Sequence, residues 1–272
     1  MIDLAVAGAA GRMGRAIVAA CQRESGMRIA HAIERSGSDV IGVDAGQLAQ
    51  VGAIKVPVSD DIAAAAFDVL IEFSNPAATV DHARFCAENG RAMVIGTTGL
   101  DNDDRAAIES VAGAVPVVFA PNMSIGVNLT LKLLEIAART LGDSVDIEVV
   151  EAHHRHKVDA PSGTALAMGA AVAGAQGKSL DDVGVFARHG HTGARPAGSI
   201  GFATVRGGDI VGEHTVMFIG EGERVEIAHK ATDRGIFATG ALRAARWLAG
   251  QPAGLYDMHD VLGLSQGPSA LF

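Results

Sequence analysis

The chain has 272 residues with 22 basic and 31 acidic side chains, so its formal charge at pH 7 is −9. This charge disfavours association with nucleic acid or an anionic membrane surface, and we expect neither as a partner. Apolar residues make up 49% of the chain, which excludes general disorder and allows one large or two modest domains. Glycine is abundant, with 34 residues, and we expect it at turns and close backbone approaches.

The cysteines and the first residues bear on the cellular compartment. Cys21 and Cys86 lie in apolar stretches, which predicts buried, reduced thiols rather than a disulfide framework. The chain does not start with a signal-peptide pattern, and no stretch reaches the roughly 18 uninterrupted apolar residues of a membrane-spanning helix. We therefore expect a cytoplasmic protein.

The first predicted strand, residues 2–7, leads into a glycine-rich turn and then a helix that ends near Glu24. The turn reads Gly8-Ala9-Ala10-Gly11-Arg12-Met13-Gly14. Missing side chains let the backbone of such a turn approach a pyrophosphate, and the helix N-terminus adds partial positive charge. Its place between a strand and a helix favours a dinucleotide site over a plain tight turn.

The second predicted strand, residues 27–33, ends at the pair Glu34-Arg35. Glu34 lies where a carboxylate can accept hydrogen bonds from the adenosine ribose, which favours NAD. Arg35 can pair with the 2′-phosphate of NADP. The pair therefore predicts the use of both NADH and NADPH, and a merely solvated turn is the alternative.

Further apolar strands alternate with helices up to residue 120. The strands are predicted at 68–73, 92–95 and 115–120, and Asn75-Pro76 opens one of the helices. This alternation predicts an α/β, Rossmann-like, doubly wound parallel sheet. Loops 96–99 and 120–123 follow strand ends, so they are candidates for holding nicotinamide, although either could be an ordinary loop.

The pattern changes from about Met123, where strands cluster after helices. This change predicts a second α+β domain with a mixed or antiparallel sheet. Its helices are predicted at 126–141 and 162–175, and its strands at 145–150, 201–205, 214–219 and 224–229. Helix 235–248 is expected to return to the first domain. We therefore expect a dinucleotide-binding domain over 1–122 plus 235–272, and a substrate-binding and oligomerisation domain over 123–234.

Five consecutive residues, 153–157, are basic or can become cations, and we call them the cationic stretch. Grouping them in an acidic chain costs self-repulsion unless an anion binds there. Downstream, Ser162-Gly163-Thr164 opens a helix whose N–H groups can receive a second anion. The combination suits a small carboxylate, and a His or Lys can supply the proton that must accompany a hydride.

Two alternatives for the cationic stretch stay open: a solvated charged loop and a histidine-rich metal site. The spacing HHxH differs from HExxH, and no compact carboxylate or cysteine set completes it, so we expect no metal. Residues 187–198 are rich in Gly, His and Arg without periodicity, and we interpret them as a functional loop in which His189 and His191 close over the site. The remaining histidines are interpreted as structural or surface residues: His31, His82, His214, His229 and His259.

The stretch Glu148 to Ala165 resembles a family, the 4-hydroxy-tetrahydrodipicolinate (dihydrodipicolinate) reductases of diaminopimelate and lysine biosynthesis. It meets the signature E-[IV]-x-E-x-H-x-x-x-K-x-D-x-P-S-G-T-A at every specified position. The resemblance extends over nearly the whole chain. It implies reduction of a cyclic unsaturated dicarboxylate by NADH or NADPH to tetrahydrodipicolinate, with loss of the 4-hydroxyl as water, in a homotetramer.

The resemblance also implies roles for individual residues. His153 is similar to the family's acid/base residue and Lys157 to its partner proton donor, whereas His154, Gly163 and Thr164 are similar to the residues that hold substrate carboxylates. The implied cofactor contacts are Gly8, Ala9, Ala10, Gly11, Arg12, Met13, Glu34, Arg35, Gly96, Thr97, Thr98, Ala120, Pro121, Asn122 and Met123. A related NAD(P)-dependent dehydrogenase of another amino-acid-derived carboxylate and a non-catalytic nucleotide sensor are the alternative functions.

Overall fold

The computed structural model describes residues 1–265, and the chain divides into two units. One unit comprises Met1–Ile125 and the chain from Gly235 onward, and the other comprises Gly126–Arg234. Each unit is built on its own sheet, with seven strands in the first and five in the second. No helix within residues 1–265 has the length and apolar character needed to cross a bilayer.

The first unit is a parallel sheet in the strand order β12-β6-β5-β4-β1-β2-β3. Successive strands are added on one side of β1 as far as β3 and on its other side from β4 onward. The strand order therefore switches between β1 and β4, and a crevice opens beyond their carboxyl ends. The strands are β1 (Ile2–Ala7), β2 (Met27–Ile33), β3 (Val58–Ser59), β4 (Val69–Glu72), β5 (Ala92–Ile95), β6 (Pro116–Phe119) and β12 (Gly254–Tyr256).

Helices cover both faces of this sheet. They are α1 (Arg12–Cys21), α2 (Ala45–Leu48), α3 (Pro76–Glu88), α4 (Asn102–Ala112), α8 (Gly235–Leu248) and α9 (Met258–Leu262). Helices α1 and α8 contribute to one buried apolar cluster, and α3 and α4 contribute to another. Strands β4 and β5 are buried along their whole length because both of their faces are covered.

The helix starts follow from short-range chemistry. The Asn75 side chain accepts a hydrogen bond from the Ala78 N–H, with Pro76 at the first helical position. Asp101 and Asp104 form a reciprocal capping box at the start of α4. Helix α1 ends at Cys21 rather than near Glu24, because the chain turns there with Arg23 and Glu24 N–H groups bonded three residues back.

The second unit has a mixed sheet in the order β11-β10-β7-β9-β8. Its strands are β7 (Asp146–His153), β8 (Gly184–Val185), β9 (Ile200–Arg206), β10 (Gly212–Ile219) and β11 (Arg224–Ala231), and its helices are α5 (Ile125–Leu141), α6 (Gly163–Ala175) and α7 (Leu180–Val183). The β10–β7 and β10–β11 pairs are antiparallel, whereas β7–β9 and β8–β9 are parallel. The predicted fold class is confirmed for both units.

One predicted boundary is wrong in a way that matters for the site. The strand expected to end at Val150 continues to His153, because β9 and β10 keep pairing with it through its polar residues. His153 is therefore the last residue of a strand buried between two neighbours rather than part of a loop. A paired strand end holds a side chain far more rigidly than a solvated loop does.

Candidate active site

The glycine turn brings three backbone segments into contact. Gly8 has φ +72°, and a Cβ there would lie 2.5 Å from the carbonyl oxygen of Phe73. A Cβ at Gly14, in the first turn of α1, would collide with the carbonyl oxygen of Gly8. Gly11 caps α1 without any side-chain hydrogen bond, so the helix start presents backbone only. These positions fit a dinucleotide pyrophosphate, which needs a close backbone approach at a helix N-terminus.

Glu34 and Arg35 lie beside this turn. The Glu34 Oε1 accepts the Ala10 N–H at 2.8 Å, and its Oε2 accepts the Arg35 N–H at 3.3 Å. Both residues line a cavity of about 390 Å³ together with Gly8 and Gly11. A carboxylate can accept about four hydrogen bonds, so Glu34 retains capacity for ribose hydroxyls. Arg12, also predicted to contact cofactor, is exposed at the start of α1.

A buried carboxylate to which no sequence motif points contacts two residues that line the same cavity. Glu72, at the end of β4, is fully buried, and it binds the Ser74 hydroxyl and the Nδ1 of His82, each at 2.5 Å. His82 lines the cavity and pairs with Glu72, which agrees with its interpretation as a structural or surface residue. The available signal was a glutamate closing an otherwise apolar strand.

The loops after β5 and β6 are held by different groups. The Thr97 hydroxyl oxygen accepts from the Ser74 N–H at 3.3 Å and from the Thr79 hydroxyl at 2.9 Å, and a Cβ at Gly96 would collide with the Phe73 ring. Thr98 and Pro121 are exposed, whereas Ala120 is buried. The Asn122 Oδ1 accepts the Ser124 N–H at 2.9 Å.

Two predicted cofactor contacts point their side chains elsewhere. The Met123 side chain is 1% exposed and belongs to the core on the α1 side of the sheet, and Ala9 is buried in the same core. Met13 packs partly against that core as well. Only the backbone of Ala9 and Met123 is left to contact a ligand, because an apolar side chain at these positions is more stable when buried.

In the second unit, Glu151 is the centre of a cluster that we call the Glu151 cluster: Glu151, His153, Ser162 and Arg206. Glu151 is 1% exposed, and it accepts hydrogen bonds from the Nδ1 of His153 at 2.6 Å and from the Ser162 N–H at 3.0 Å. Arg206 binds both carboxylate oxygens, at 2.8 and 2.7 Å. No motif or spacing in the sequence points to Arg206.

The pKa of Glu151 follows from these contacts. Burial favours the protonated acid, but the hydrogen bonds from Arg206, His153 and the Ser162 N–H outweigh it and lower the pKa to about 2. Glu151 is therefore ionised at neutral pH and accepts from the His153 Nδ1. This fixes the imidazole orientation and leaves Nε2 as its second titratable nitrogen.

A second histidine, His214, adjoins His153. Their rings meet edge to face with centroids 5.0 Å apart, and the His214 Nε2 is hydrogen-bonded to the Ser162 hydroxyl at 2.9 Å. Burial, reinforced by the His153 charge, lowers the pKa of His214 to about 4. His214 thus contacts both Ser162 and His153 of the Glu151 cluster, and the signal for it was a histidine at an inward position of β10.

The rest of the cationic stretch follows His153 in the chain and makes contacts of its own. The Lys157 Nζ lies 2.8 Å from the Asp159 Oδ1, and this hydrogen bond is the main cause that lowers the pKa of Asp159. Desolvation, with the charges of Arg234 and His156, lowers the pKa of His154. Within residues 1–265, no group of three or more His, Cys, Asp or Glu side chains could hold a metal ion.

The start of α6 adjoins the Glu151 cluster. Ser162 caps the helix by accepting the Ala165 N–H at 3.1 Å, while its own N–H donates to Glu151. A Cβ at Gly163 would meet nothing within 4 Å, so the space beside the first helical residue is open. Gly163 and Thr164 thus occupy the first turn of a 13-residue helix, where a carboxylate is stabilised.

The loop 187–198 is anchored away from His153. Arg188 binds both oxygens of Glu148, and Arg195 bridges Glu148 and Asp146. These partners lie at the start of β7, about 17 to 23 Å along the strand from His153. His189 and His191 are exposed within this tethered loop. Among the described residues, no contact supports the expectation that they close over the site.

A glycine turn at a helix N-terminus in one unit and the Glu151 cluster beside the start of α6 in the other are features of a nucleotide-dependent oxidoreductase. Two family models cover the chain: "Dihydrodipicolinate reductase, N-terminus" over residues 2–123 and "Dihydrodipicolinate reductase, C-terminus" over residues 126–262. The chain belongs to the dihydrodipicolinate reductase family. The family, the enzyme class and the cofactors NADH and NADPH predicted from the sequence are confirmed.

Individual relatives agree with this family. The 4-hydroxy-tetrahydrodipicolinate reductase of Acinetobacter baumannii is 56% identical over 264 residues, 96% of each chain. That of Alkalilimnicola ehrlichii is 56% identical over 96% of this chain and 98% of its own. A dipicolinate-bound dihydrodipicolinate reductase from Paenisporosarcina sp. TG-14 has the same fold, with TM-score 0.75 and 23% identity over 94% of this chain and 97% of its own.

Proposed function

We propose that the chain catalyses the NAD(P)H-dependent reduction of 4-hydroxy-tetrahydrodipicolinate to tetrahydrodipicolinate, with release of water. The observation that carries the proposal is the orientation of His153 by ionised Glu151, next to the anion-binding start of α6. In this proposal the first unit binds the dinucleotide and the second binds the substrate. The bound cofactor supplies the hydride.

The proton is assigned to residues of the second unit. Because Glu151 accepts from Nδ1, His153 exchanges a proton with substrate through Nε2. Lys157 is the partner donor, and its ion pair with Asp159 keeps the ammonium at one place in the stretch. His154 and the N–H groups of Gly163 and Thr164 bind the two substrate carboxylates, because cationic and helix-start donors suit a dianion.

Replacing the proposed proton donors tests this assignment. His153→Gln and Lys157→Gln should each lower kcat by at least ~100-fold, the scale of general acid catalysis. Steady-state oxidation of NADH with the cyclic substrate measures the loss. The matched control is His156→Gln, an exposed histidine of the same stretch, which should stay within about twofold of the wild type.

Cofactor binding should survive both substitutions, since the glycine turn belongs to the other unit. A wild-type rate in the His153→Gln and Lys157→Gln variants would refute the proposed roles and favour a nucleotide sensor. Faster turnover of simple keto acids than of the cyclic dicarboxylate would instead favour a related dehydrogenase.

We also propose a homotetramer in the cytoplasm. One face of the mixed sheet is buried under α5 and α6, while side chains on its other face stay partly exposed, among them Val150, Val205 and Met217. A half-exposed apolar sheet face favours association with copies of itself. Light scattering should give four times the chain mass of 27.8 kDa. Buried free thiols at Cys21 and Cys86 support a reducing compartment.

A further inference from the structure

The end of β9 supplies a guanidinium that reaches two separate parts of the second unit. Arg206 is the last residue of β9, and β9 lies parallel to β7 with Arg206 opposite His153. This register places the base of its side chain beside the proposed proton donor. Neither the proposed mechanism nor the family signature uses Arg206.

The first contact of Arg206 is with the carboxylate that orients His153. Its two terminal nitrogens donate to the two oxygens of Glu151 in a bidentate pair, at 2.8 and 2.7 Å. A planar guanidinium in this geometry fixes both the position and the rotation of a carboxylate. The same two oxygens accept from the His153 Nδ1 and from the Ser162 N–H, so rotating the carboxylate would disturb both.

The second contact is with the loop between β7 and α6. One terminal nitrogen of Arg206 donates to the backbone oxygen of Asp159 at 2.7 Å. The side chain of Asp159 pairs with Lys157 at 2.8 Å. One guanidinium thus connects the loop that carries Lys157 to the Glu151 carboxylate that orients His153.

We propose that Arg206 is a positioning residue that sets the geometry of His153, Lys157 and the start of α6 relative to one another. The inference rests on the proposed function, because it concerns the same proton donors. Arg206 acts through Glu151 and the Asp159 backbone and transfers no proton itself. A misplacement of about 1 Å at reacting groups can cost about 100-fold in rate, so the loss of this connection should be visible in kcat.

The chain contains a matched control for this proposal. Arg188 makes the same bidentate pair with Glu148, at 2.8 and 2.9 Å, on the same strand β7 but at its opposite end. Both pairs join the loop or strand that follows α6 to a glutamate of β7. Removing Arg188 therefore removes an equivalent structural contact without reaching the Glu151 cluster.

The experiment compares Arg206→Ala, Arg206→Lys and Arg188→Ala in the full-length enzyme. We expect Arg206→Ala to lower kcat by about 10- to 100-fold, to raise the substrate KM, and to leave the Kd of NADH unchanged. Arg206→Lys keeps the charge but loses the bidentate geometry, so it should remain within about threefold of Arg206→Ala. Arg188→Ala should keep the wild-type kcat.

Chemical rescue separates positioning from general stability. The Arg206 side chain is 20% exposed, so millimolar guanidinium ion can enter the space that Arg206→Ala leaves. We expect guanidinium to raise the kcat of Arg206→Ala at least fivefold. It should have no effect on the kcat of the wild type or of Arg188→Ala.

Three results would overturn the inference: a wild-type kcat in Arg206→Ala, full recovery in Arg206→Lys, or a soluble Arg206→Ala enzyme that guanidinium does not rescue. The proposed function would fail differently, because the wild-type enzyme itself would then not reduce the cyclic dicarboxylate. If Arg206→Ala does not fold, Arg206→Gln with the same kcat, KM and rescue measurements replaces it.

Discussion

At the scale of single residues, Arg35 is the group that we propose distinguishes NADPH from NADH. It lines the cavity beside the glycine turn together with Glu34. NADPH differs from NADH by a 2′-phosphate, and a hydrogen bond between charged groups contributes about 1.5–3 kcal/mol. Arg35 is therefore the group whose removal should affect one cofactor and spare the other.

We expect Arg35→Ala to lower kcat/KM for NADPH by about tenfold or more and to change kcat/KM for NADH by less than about twofold. Steady-state rates with both cofactors at a fixed substrate concentration measure this. Arg23→Ala, an exposed arginine just after α1, is the control. An equal loss with both cofactors would show that Arg35 has no role in recognising the phosphate.

The site residues that sequence could predict are those near a motif in the chain. Glu34 and Arg35 follow from their distance to the glycine turn, and His153 and Lys157 from the signature. Arg206 and His214 could not be found in this way, because they reach Glu151 and Ser162 across 55 and 52 positions. Only the pairing of β7 with β9 and β10 brings them together.

At the scale of elements, glycines in two helices differ in the space around their Cβ positions. Gly14 in α1 has no room for a Cβ, because Gly8 and Ala9 backbone atoms occupy that space. Gly174 in α6 is exposed and has nothing within 4 Å of its Cβ position. The first glycine allows the helix to approach the turn, and the second has only the conformational cost of glycine in a helix.

We expect Gly14→Ala to lower the Tm and to weaken NADH binding at least tenfold, since the turn must move to avoid the new methyl group. Gly174→Ala should stabilise the protein by up to about 1 kcal/mol and leave NADH binding unchanged. Thermal unfolding and cofactor titration of both variants measure these effects. Tight NADH binding by Gly14→Ala would contradict the close approach described for the turn.

The order and type of most elements could be predicted from periodicity and capping residues, as α3, α5 and α6 illustrate. The short strands β3, β8 and β12 could not, because two or three residues carry no periodic signal. The end of β7 was misplaced for a different reason. Its last three residues include Glu151 and His153, whose polarity predicts a strand end, whereas β9 and β10 keep pairing with this part of the strand.

At the scale of the whole molecule, the lowered pKa values of Glu151, His214 and His229 make the free energy of unfolding depend on pH. His214 has a folded-state pKa of about 4, below its ordinary value of 6.5, so the unfolded chain binds more protons between these values. The free energy of unfolding therefore decreases as pH falls from 6.5 to 4. Burial also lowers the pKa of His229, which acts in the same direction.

We expect the free energy of unfolding to drop by on the order of 3 kcal/mol for His214 across this window. Glu151, with a folded pKa of about 2, adds a further loss as pH falls below about 4.5. Urea unfolding at several pH values measures the slope. His214→Gln should flatten it between pH 6.5 and 4.5, whereas the exposed control His191→Gln should not. An unchanged slope in His214→Gln would contradict a buried neutral His214.

The first unit is interrupted in the chain, and this has a consequence for synthesis. Helix α8, which contributes Ala241, Leu242 and Leu248 to the core beside α1, lies more than 100 residues after β6. A nascent chain emerging from the ribosome can complete the inserted unit first. At that stage the apolar core residues of the earlier sheet are not yet packed against α8. Messages truncated before residue 235 should therefore yield products that chaperones retain and proteases remove.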